Sequence, residues 1–355
     1  MNYLVLLFIF MMSVCSSPPL YCQSEEKSAT NKVFKSGQSQ TDTAEIEYQK
    51  LIDADDEAQA EIDDWIKQTY LQQDLSKQDS TNSISLNQVT LKLKIQQRLD
   101  ALKKEYEIFL KKYPDHIKGR IAYASFLSDI GKEEESRDQL EIAKQKDPKN
   151  PAIWNNLANY YGHNGPATNA FIHYQKAIEL NPNESVYYRN YATTVYIYRD
   201  EAMEFFKLSE EQVIRKAMGL YKKAIELDPE NFLIASDLAQ TYYGFKLPSL
   251  SASEIRTNKL VQQIASEAIE AWRAAEKLAK DDMQKQGCLL HIGRWQITAM
   301  RLADARKTLE PIDIEEYRTT KEVLLKKLES AERELAKIAD QPDISNNTSE
   351  IKREQ

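Results

Sequence analysis

The sequence predicts an all-α protein built from a row of paired helices. Apolar and small residues recur at helical spacing through most of the 355-residue chain. Prolines follow these periodic segments at a regular interval, at Pro114, Pro148 and Pro182. A proline ends a helix because it lacks a backbone N–H and its ring clashes with the preceding turn. The chain is therefore expected to form repeated helix pairs, each closed by a proline.

The segment 151–184 shows the pattern most clearly. It contains a helix, a short turn, a second helix and a final proline. Large apolar residues at helical spacing are expected to fill the space between the two helices, and small residues are expected to let their axes approach. The large residues are Trp154, Leu157, Tyr161 and Tyr174, and the small residues are Ala158, Ala170 and Ala177.

These residues and Pro182 occupy the signature positions of a 34-residue unit, and the segment resembles a tetratricopeptide repeat (TPR). The resemblance implies a TPR α-solenoid that acts by binding, and it covers residues 117–312, with helical caps at both ends. Counting from the best-matching segment gives repeat units near 117–150, 151–184, 185–231, 232–281 and 286–312. Two insertions are expected, near 197–212 and 244–263, each between the first and second helix of its unit.

The flanking segments complete the predicted organisation. Residues 44–116 are expected to form an acidic helix and a capping helix, and residues 313–339 a closing helix. The acidic run from Asp53 to Asp64 loosely resembles a calcium-binding loop, but Ala58 stands where the sharp turn needs glycine. A solvated helix face is therefore the preferred interpretation. Residues 25–43 and 340–355 are polar without apolar periodicity and are expected to be disordered.

The N-terminal segment predicts export. The apolar run from Tyr3 to Val14 is too short to span a bilayer but suits a signal peptide of about 24 residues. Cleavage is expected near Ser24, which would leave a periplasmic or secreted chain without a transmembrane span. Lipid anchoring through Cys15 or Cys22 is a weaker alternative, because a bulky residue precedes each cysteine. Only Cys288 would remain, so the mature chain has no intrachain disulfide.

The TPR resemblance also implies which residues face a ligand. In such arrays the first helix of each unit lines a groove, and Ser125 is carried over from the first unit. The next three units contribute the predicted partner-binding residues Asn155, Asn156, Asn159, Arg189, Asn190, Thr193, Tyr196, Ser236, Asp237, Gln240 and Tyr243. Their amides suit the backbone of an extended peptide. Ile121 and Val186 stand where the subtype that clamps two carboxylates needs basic residues, so that subtype is rejected.

Several classes of function are disfavoured. A net charge of −8 argues against nucleic acid, which needs a basic stripe. The four histidines form no metal-ligand pattern, no catalytic motif is present, and no cofactor is expected. Cys288 and His291 could touch on one helix face, but a packed cysteine beside a polar histidine explains them better. The predicted function is a non-enzymatic scaffold for a protein or peptide of unknown identity.

A binding module for a cell-wall glycan or a small ligand is the alternative. It rests on an aromatic edge beside the two insertions, which includes Tyr196, Tyr198, Phe205, Phe206, Tyr243 and Phe245. These rings either form a rim next to the groove or simply bury themselves in the core. The partner, the process served and the oligomeric state do not follow from the sequence.

Overall fold

The computed structural model describes residues 40–75 and 81–339. The chain divides into two compact units, Met1–Pro148 and Lys149–Gln355. All regular structure in the described residues is helical. The predicted signal peptide, most of the predicted linker and the predicted C-terminal tail lie outside the described residues.

The first unit begins with a long helical hairpin. Helix α1 spans Gln40–Leu75 and α2 spans Thr81–Lys112, so α1 begins before the expected residue 44. Ion pairs join Lys112 to Glu47 at 2.6 Å and Arg98 to Glu61 at 2.7 Å. The later residue of α2 thus pairs with the earlier residue of α1, so the two helices are antiparallel. The run from Asp53 to Asp64 is continuous helix, as predicted.

The first repeat follows the hairpin. Helices α3 (Ile117–Asp129) and α4 (Glu133–Lys146) form its pair. Helix α3 packs closely on α2, because a Cβ added at Gly119 would lie 2.5 Å from the Phe109 ring. Tyr106 is fully buried against Tyr123 and Phe126 of α3, with ring centroids 5.3 Å away in both cases. The hairpin and the first repeat therefore share one core.

The second unit contains the remaining helices. They are α5 (Pro151–Asn164), α6 (Ala167–Leu180), α7 (Ser185–Ile197), α8 (Arg199–Phe206), α9 (Glu210–Leu227), α10 (Phe232–Gln240), α11 (Ala252–Thr257), α12 (Lys259–Lys277), α13 (Asp282–Thr298), α14 (Leu302–Leu309) and α15 (Arg318–Ala339). Short 3₁₀ turns cover Thr241–Gly244 and Glu315–Tyr317. The repeat pairs are α5 with α6, α7 with α9, α10 with α12, and α13 with α14.

The helix starts follow from local chemistry. Asn150, Asn231 and Asp281 cap α5, α10 and α13 by accepting backbone N–H groups of the first turn. The spacing of Ser209 and Gln212 predicts a capping box, and the two residues form one at the start of α9, in which each side chain bonds the other residue's backbone. Among the first helices of the second unit, α7 differs, because Glu184 at its start forms no side-chain cap.

The small residues of the repeat are buried where helices cross. Ala158, Ala170 and Ala177 have no exposed surface, and the equivalent alanines of the next two units are also fully buried. Two large residues differ from expectation, since Trp154 and Tyr161 are only half-buried and both pack against His173.

The two insertions take different forms. The first becomes α8, and the second becomes α11 followed by α12, whose start Asn258 caps through the Val261 N–H at 3.1 Å. The apolar residues between Ile255 and Ile264 predict one lengthened second helix in the fourth unit. A separate short helix forms instead, because Ser251 begins it with its own capping box and Asn258 ends it. Leu260, one of these apolar residues, is 46% exposed.

Candidate partner-binding face

The predicted partner-binding residues lie on the first helices of three successive repeats. Helix α5 carries three of them, α7 carries four, and α10 with the following 3₁₀ turn carries the rest. We call this set of positions the inner face. Ser125, the remaining predicted position, lies on α3 of the first unit and is half-buried.

A repeated contact links neighbouring first helices across the inner face. The Asn190 side-chain amide donates to Asn155 Oδ1 at 3.2 Å. One repeat further along, Arg189 Nε donates to Asp237 Oδ2 at 2.7 Å. In both cases the fifth position of one unit contacts the sixth position of the next. The same two repeat positions therefore build an interhelical polar ladder, first from amides and then from an ion pair.

Further hydrogen bonds fix individual side chains within this ladder. Asn155 is 6% exposed and donates to Asn156 Oδ1 at 3.1 Å. Asn159 accepts from the Tyr174 hydroxyl at 2.6 Å, and Thr193 lies 2.7 Å from the Tyr221 hydroxyl. The first bond lies within α5 and the other two tie inner-face residues to neighbouring helices, so these polar groups are ordered before a ligand binds.

Gln240 differs from the other predicted residues. It is exposed and makes no side-chain hydrogen bond within the described part of the chain. An amide offers two donors and two acceptor sites, so Gln240 is the inner-face residue with most capacity left for a ligand.

The ion pair of the ladder is only partly exposed. Burial raises the pKa of Asp237, and the neighbouring Arg189 opposes that rise through its charge and its hydrogen bond. The arginine thus compensates for part of the cost of placing a carboxylate in this position.

An aromatic cluster lies at the far end of the inner face. The Tyr243 hydroxyl lies 2.9 Å from His291 Nδ1, and its ring stacks on Trp295 at 5.1 Å. The imidazole of His291 lies flat on Trp272, with centroids 4.0 Å apart and planes at 5°. Burial, together with the charge of Arg294, lowers the pKa of His291 to about 4. The imidazole is therefore neutral near pH 7 and can accept a hydrogen bond from the Tyr243 hydroxyl.

Two residues of this cluster were missed at the sequence level. His291 and Arg294 occupy the sixth and ninth positions of the fifth unit, the same positions that identified Asn190 and Thr193 in the third. Extending the count through the fifth unit would have found them. Arg294 lies 5.7 Å from the Tyr243 ring and forms no ion pair within residues 40–75 and 81–339.

The two insertions meet at one edge of the second unit. Lys246 of the second insertion pairs with Glu210, at the end of the first, at 2.5 Å. The Arg215 guanidinium lies 5.2 Å from the Phe245 ring. A Cβ added at Gly244 would lie 2.9 Å from the Tyr196 ring. The shared edge expected from the sequence is therefore present.

Most of the aromatic edge is packed rather than open. Phe205 and Phe206 lie 5.5 Å and 5.4 Å from Phe171, which is fully buried, and they attach α8 to the second unit. The Tyr198 hydroxyl bonds the carbonyl of Gly162. Tyr196 is half-buried, with the Arg199 guanidinium 4.7 Å from its ring. These rings stabilise the insertion, which leaves little free aromatic surface at this edge.

Other chemistry is sparse among the described residues. In that part of the chain, no group of three or more His, Cys, Asp or Glu side chains is placed to hold a metal ion. Cys288 is buried, and burial raises the pKa of its thiol to about 12. No helix among the described residues is long and apolar enough to span a membrane.

The chain was also compared with known proteins. No family model matches the sequence, and no curated protein matches it. Solved structures that resemble it include PilW, described as a widely conserved type IV pilus biogenesis factor, at 12% identity and a TM-score of 0.45. That match covers 65% of this chain and 92% of PilW.

Two further structures show a similar likeness. YrrB, described as a TPR protein with an unusual peptide-binding site, is 13% identical with a TM-score of 0.40, over 58% of this chain and 93% of YrrB. MamA from Desulfovibrio magneticus RS-1 is 14% identical with a TM-score of 0.40, over 61% of this chain and 95% of that chain. At these sequence identities and TM-scores, the functions of the three proteins do not extend to this chain. The fold is that of a TPR-type α-solenoid. Its helix pairs and buried alanines are those that the repeat predicts.

Proposed function

We propose that this protein is a non-enzymatic scaffold whose inner face binds an extended peptide segment of a partner protein. The observation that carries the proposal is the polar ladder along α5, α7 and α10, which orders polar side chains at matching positions of successive repeats. Rows of fixed donors and acceptors match the repeating N–H and C=O groups of an extended chain. Ordering them beforehand lowers the entropy cost of binding.

The glycan alternative has less support. A sugar ring would need an open aromatic face, and Tyr243 already stacks on Trp295 while Phe205 and Phe206 pack on Phe171. The free polar capacity lies instead at amides such as Gln240.

The proposal can be tested with peptides selected from a random phage-displayed library on the chain from residue 25 onward. We expect Asn156→Ala and Gln240→Ala each to weaken binding of the selected peptides by about five- to tenfold, since each substitution removes one or two hydrogen bonds. Fluorescence polarisation with a labelled peptide measures the affinity.

The matched control is Gln145→Ala, which removes an exposed amide from the second helix of the first repeat. This variant should bind as the wild type does. Peptides that bind both inner-face variants and the control equally well would place the binding site elsewhere. Binding of soluble cell-wall fragments in place of peptides would favour the glycan alternative.

We also propose that the protein acts in the cell envelope or outside the cell. The short apolar run before Ser24 supports this location. Intact-mass analysis of the protein from its native host should show the loss of about the first 24 residues. A mass that retains them would contradict cleavage, and an added lipid mass would show anchoring.

A further inference from the structure

A second polar site lies in the first unit, outside the inner face. An open cleft of about 430 Å³ lies between α2, α3 and α4. Charged and polar side chains dominate its lining, chiefly Glu107, Lys111, Arg120, Tyr123, Asp138 and Gln139. The peptide-binding proposal makes no use of it.

Arg120 is the unusual residue of this cleft. It is only 8% exposed, and it stands where TPR units normally carry a large apolar residue. Its guanidinium donates to Gln139 Oε1 at 2.6 Å and to the Pro114 carbonyl at 2.8 Å, and both acceptors are neutral. The buried Nε has no hydrogen-bond partner. Within the described residues no carboxylate lies within 4.0 Å of this guanidinium, so its charge has no ion-pair partner.

An unpaired buried cation is costly, and buried charges in proteins normally have a partner. The negative charge that acts on Arg120 is that of Asp115, but this carboxylate is already bonded to Lys146. Lys111, also in the cleft lining, is exposed and has no ion pair within the described helices. Arg120 and Lys111 therefore provide two cationic groups that form no ion pair with a carboxylate of the described chain.

The same cleft also has an acidic side. Glu107 accepts a hydrogen bond from the Tyr123 hydroxyl at 3.2 Å, and Asp138 pairs with Arg137 at 2.8 Å. Both carboxylates are exposed and can accept further hydrogen bonds. A simple anion would be repelled by this side, whereas a ligand with both charges would find a partner for each.

We propose that this cleft binds a small zwitterion with a carboxylate and an ammonium group, the chemistry of amino acids and short peptides. The ligand carboxylate bonds the remaining N–H groups of Arg120 and the Lys111 ammonium. The ligand ammonium bonds Glu107 and Asp138. Charge-assisted hydrogen bonds of this kind are stronger than neutral ones, particularly where one partner is shielded from water.

Calorimetric titration of the full mature chain with matched probes tests the proposal. The probes are L-alanyl-L-alanine, its N-acetyl derivative, which lacks the ammonium group, and its C-terminal amide, which lacks the carboxylate. L-alanine is added as the single amino acid. We expect the dipeptide or L-alanine to bind at least about tenfold more tightly than either singly charged probe, since each lost contact is charge-assisted. Equal binding of all four probes, or no heat up to roughly 20 mM, would overturn the proposal.

Substitutions of residues in the cleft test whether the zwitterion binds there. Arg120→Gln should abolish it, but this change also weakens the bond to Pro114 and can destabilise the fold. Lys111→Met avoids that difficulty because Lys111 is exposed on α2. This variant should bind the zwitterion about three- to tenfold more weakly. The control is Lys104→Met, an exposed lysine of the same helix outside the cleft lining, which should bind as the wild type does. If Lys111→Met binds as tightly as Lys104→Met, the ligand does not occupy this cleft.

Discussion

The two ends of the inner face differ in their chemistry. At the amide end, Asn155, Asn156 and Asn190 bond one another between α5 and α7. At the aromatic end, Tyr243 and His291 bond each other and stack on Trp295 and Trp272. Amide side chains make few apolar contacts, whereas the stacked rings bury large apolar surfaces. The comparison indicates that the amide end contributes less to stability and can serve binding, while the aromatic end is part of the core.

The largest effect is expected at the aromatic end. Tyr243→Ala removes the stack on Trp295 and leaves His291 without its hydrogen-bond partner, and it should lower the free energy of unfolding by about 3 kcal/mol. Tyr243→Phe keeps the stack and should cost only about 1 kcal/mol. Urea unfolding measures both. If Tyr243→Ala is as stable as the wild type, the ring does not support the core and an open aromatic rim becomes tenable again.

The pH dependence of His291 tests the same cluster. Its pKa is about 4 in the fold and about 6.5 in an unfolded chain. Between these values the unfolded state binds the proton and the folded state does not. Protonation of His291 in the unfolded state therefore lowers the free energy of unfolding by about 2–3 kcal/mol as the pH falls from 6.5 towards 4.

Carboxylates titrate in the same range, so the measurement must be differential. His291→Phe keeps a flat ring against Trp272 but cannot take up a proton. We expect the free-energy difference between the wild type and this variant to change by about 2–3 kcal/mol across this pH range. Parallel pH profiles for the two proteins would show that His291 is already accessible to protons in the fold.

The smallest effects are expected at the amides of the inner face, of which Gln240 is exposed and Asn155 is buried. Gln240→Ala should change the free energy of unfolding by less than about 0.5 kcal/mol, because Gln240 is exposed and bonds no other described side chain. Asn155→Ala should cost about 1–2 kcal/mol, since Asn155 is buried and its removal leaves the amides of Asn156 and Asn190 unpaired. Thermal unfolding of both variants checks the order. A reversed order would mean that the ladder does not hold α5 and α7 together.

The sequence by itself determined the helix pairs and their caps. Ser209 with Gln212 starts α9 as predicted, and Ala170 and Ala177 are buried where the repeat places small residues. These features depend on residues close together in the chain, because caps, proline stops and helical spacing act within one or two turns. The repeat count also placed the inner-face residues on the first helices of successive units.

Only the tertiary structure decided which inner-face side chains bond one another and which remain available. Asn155 and Gln240 are both amides at predicted positions, yet one is buried in the ladder and the other is exposed. The stack of His291 on Trp272 and the unpaired Arg120 also arise between helices. Burial and pairing depend on distances between residues far apart in sequence, and a local pattern contains no such distances.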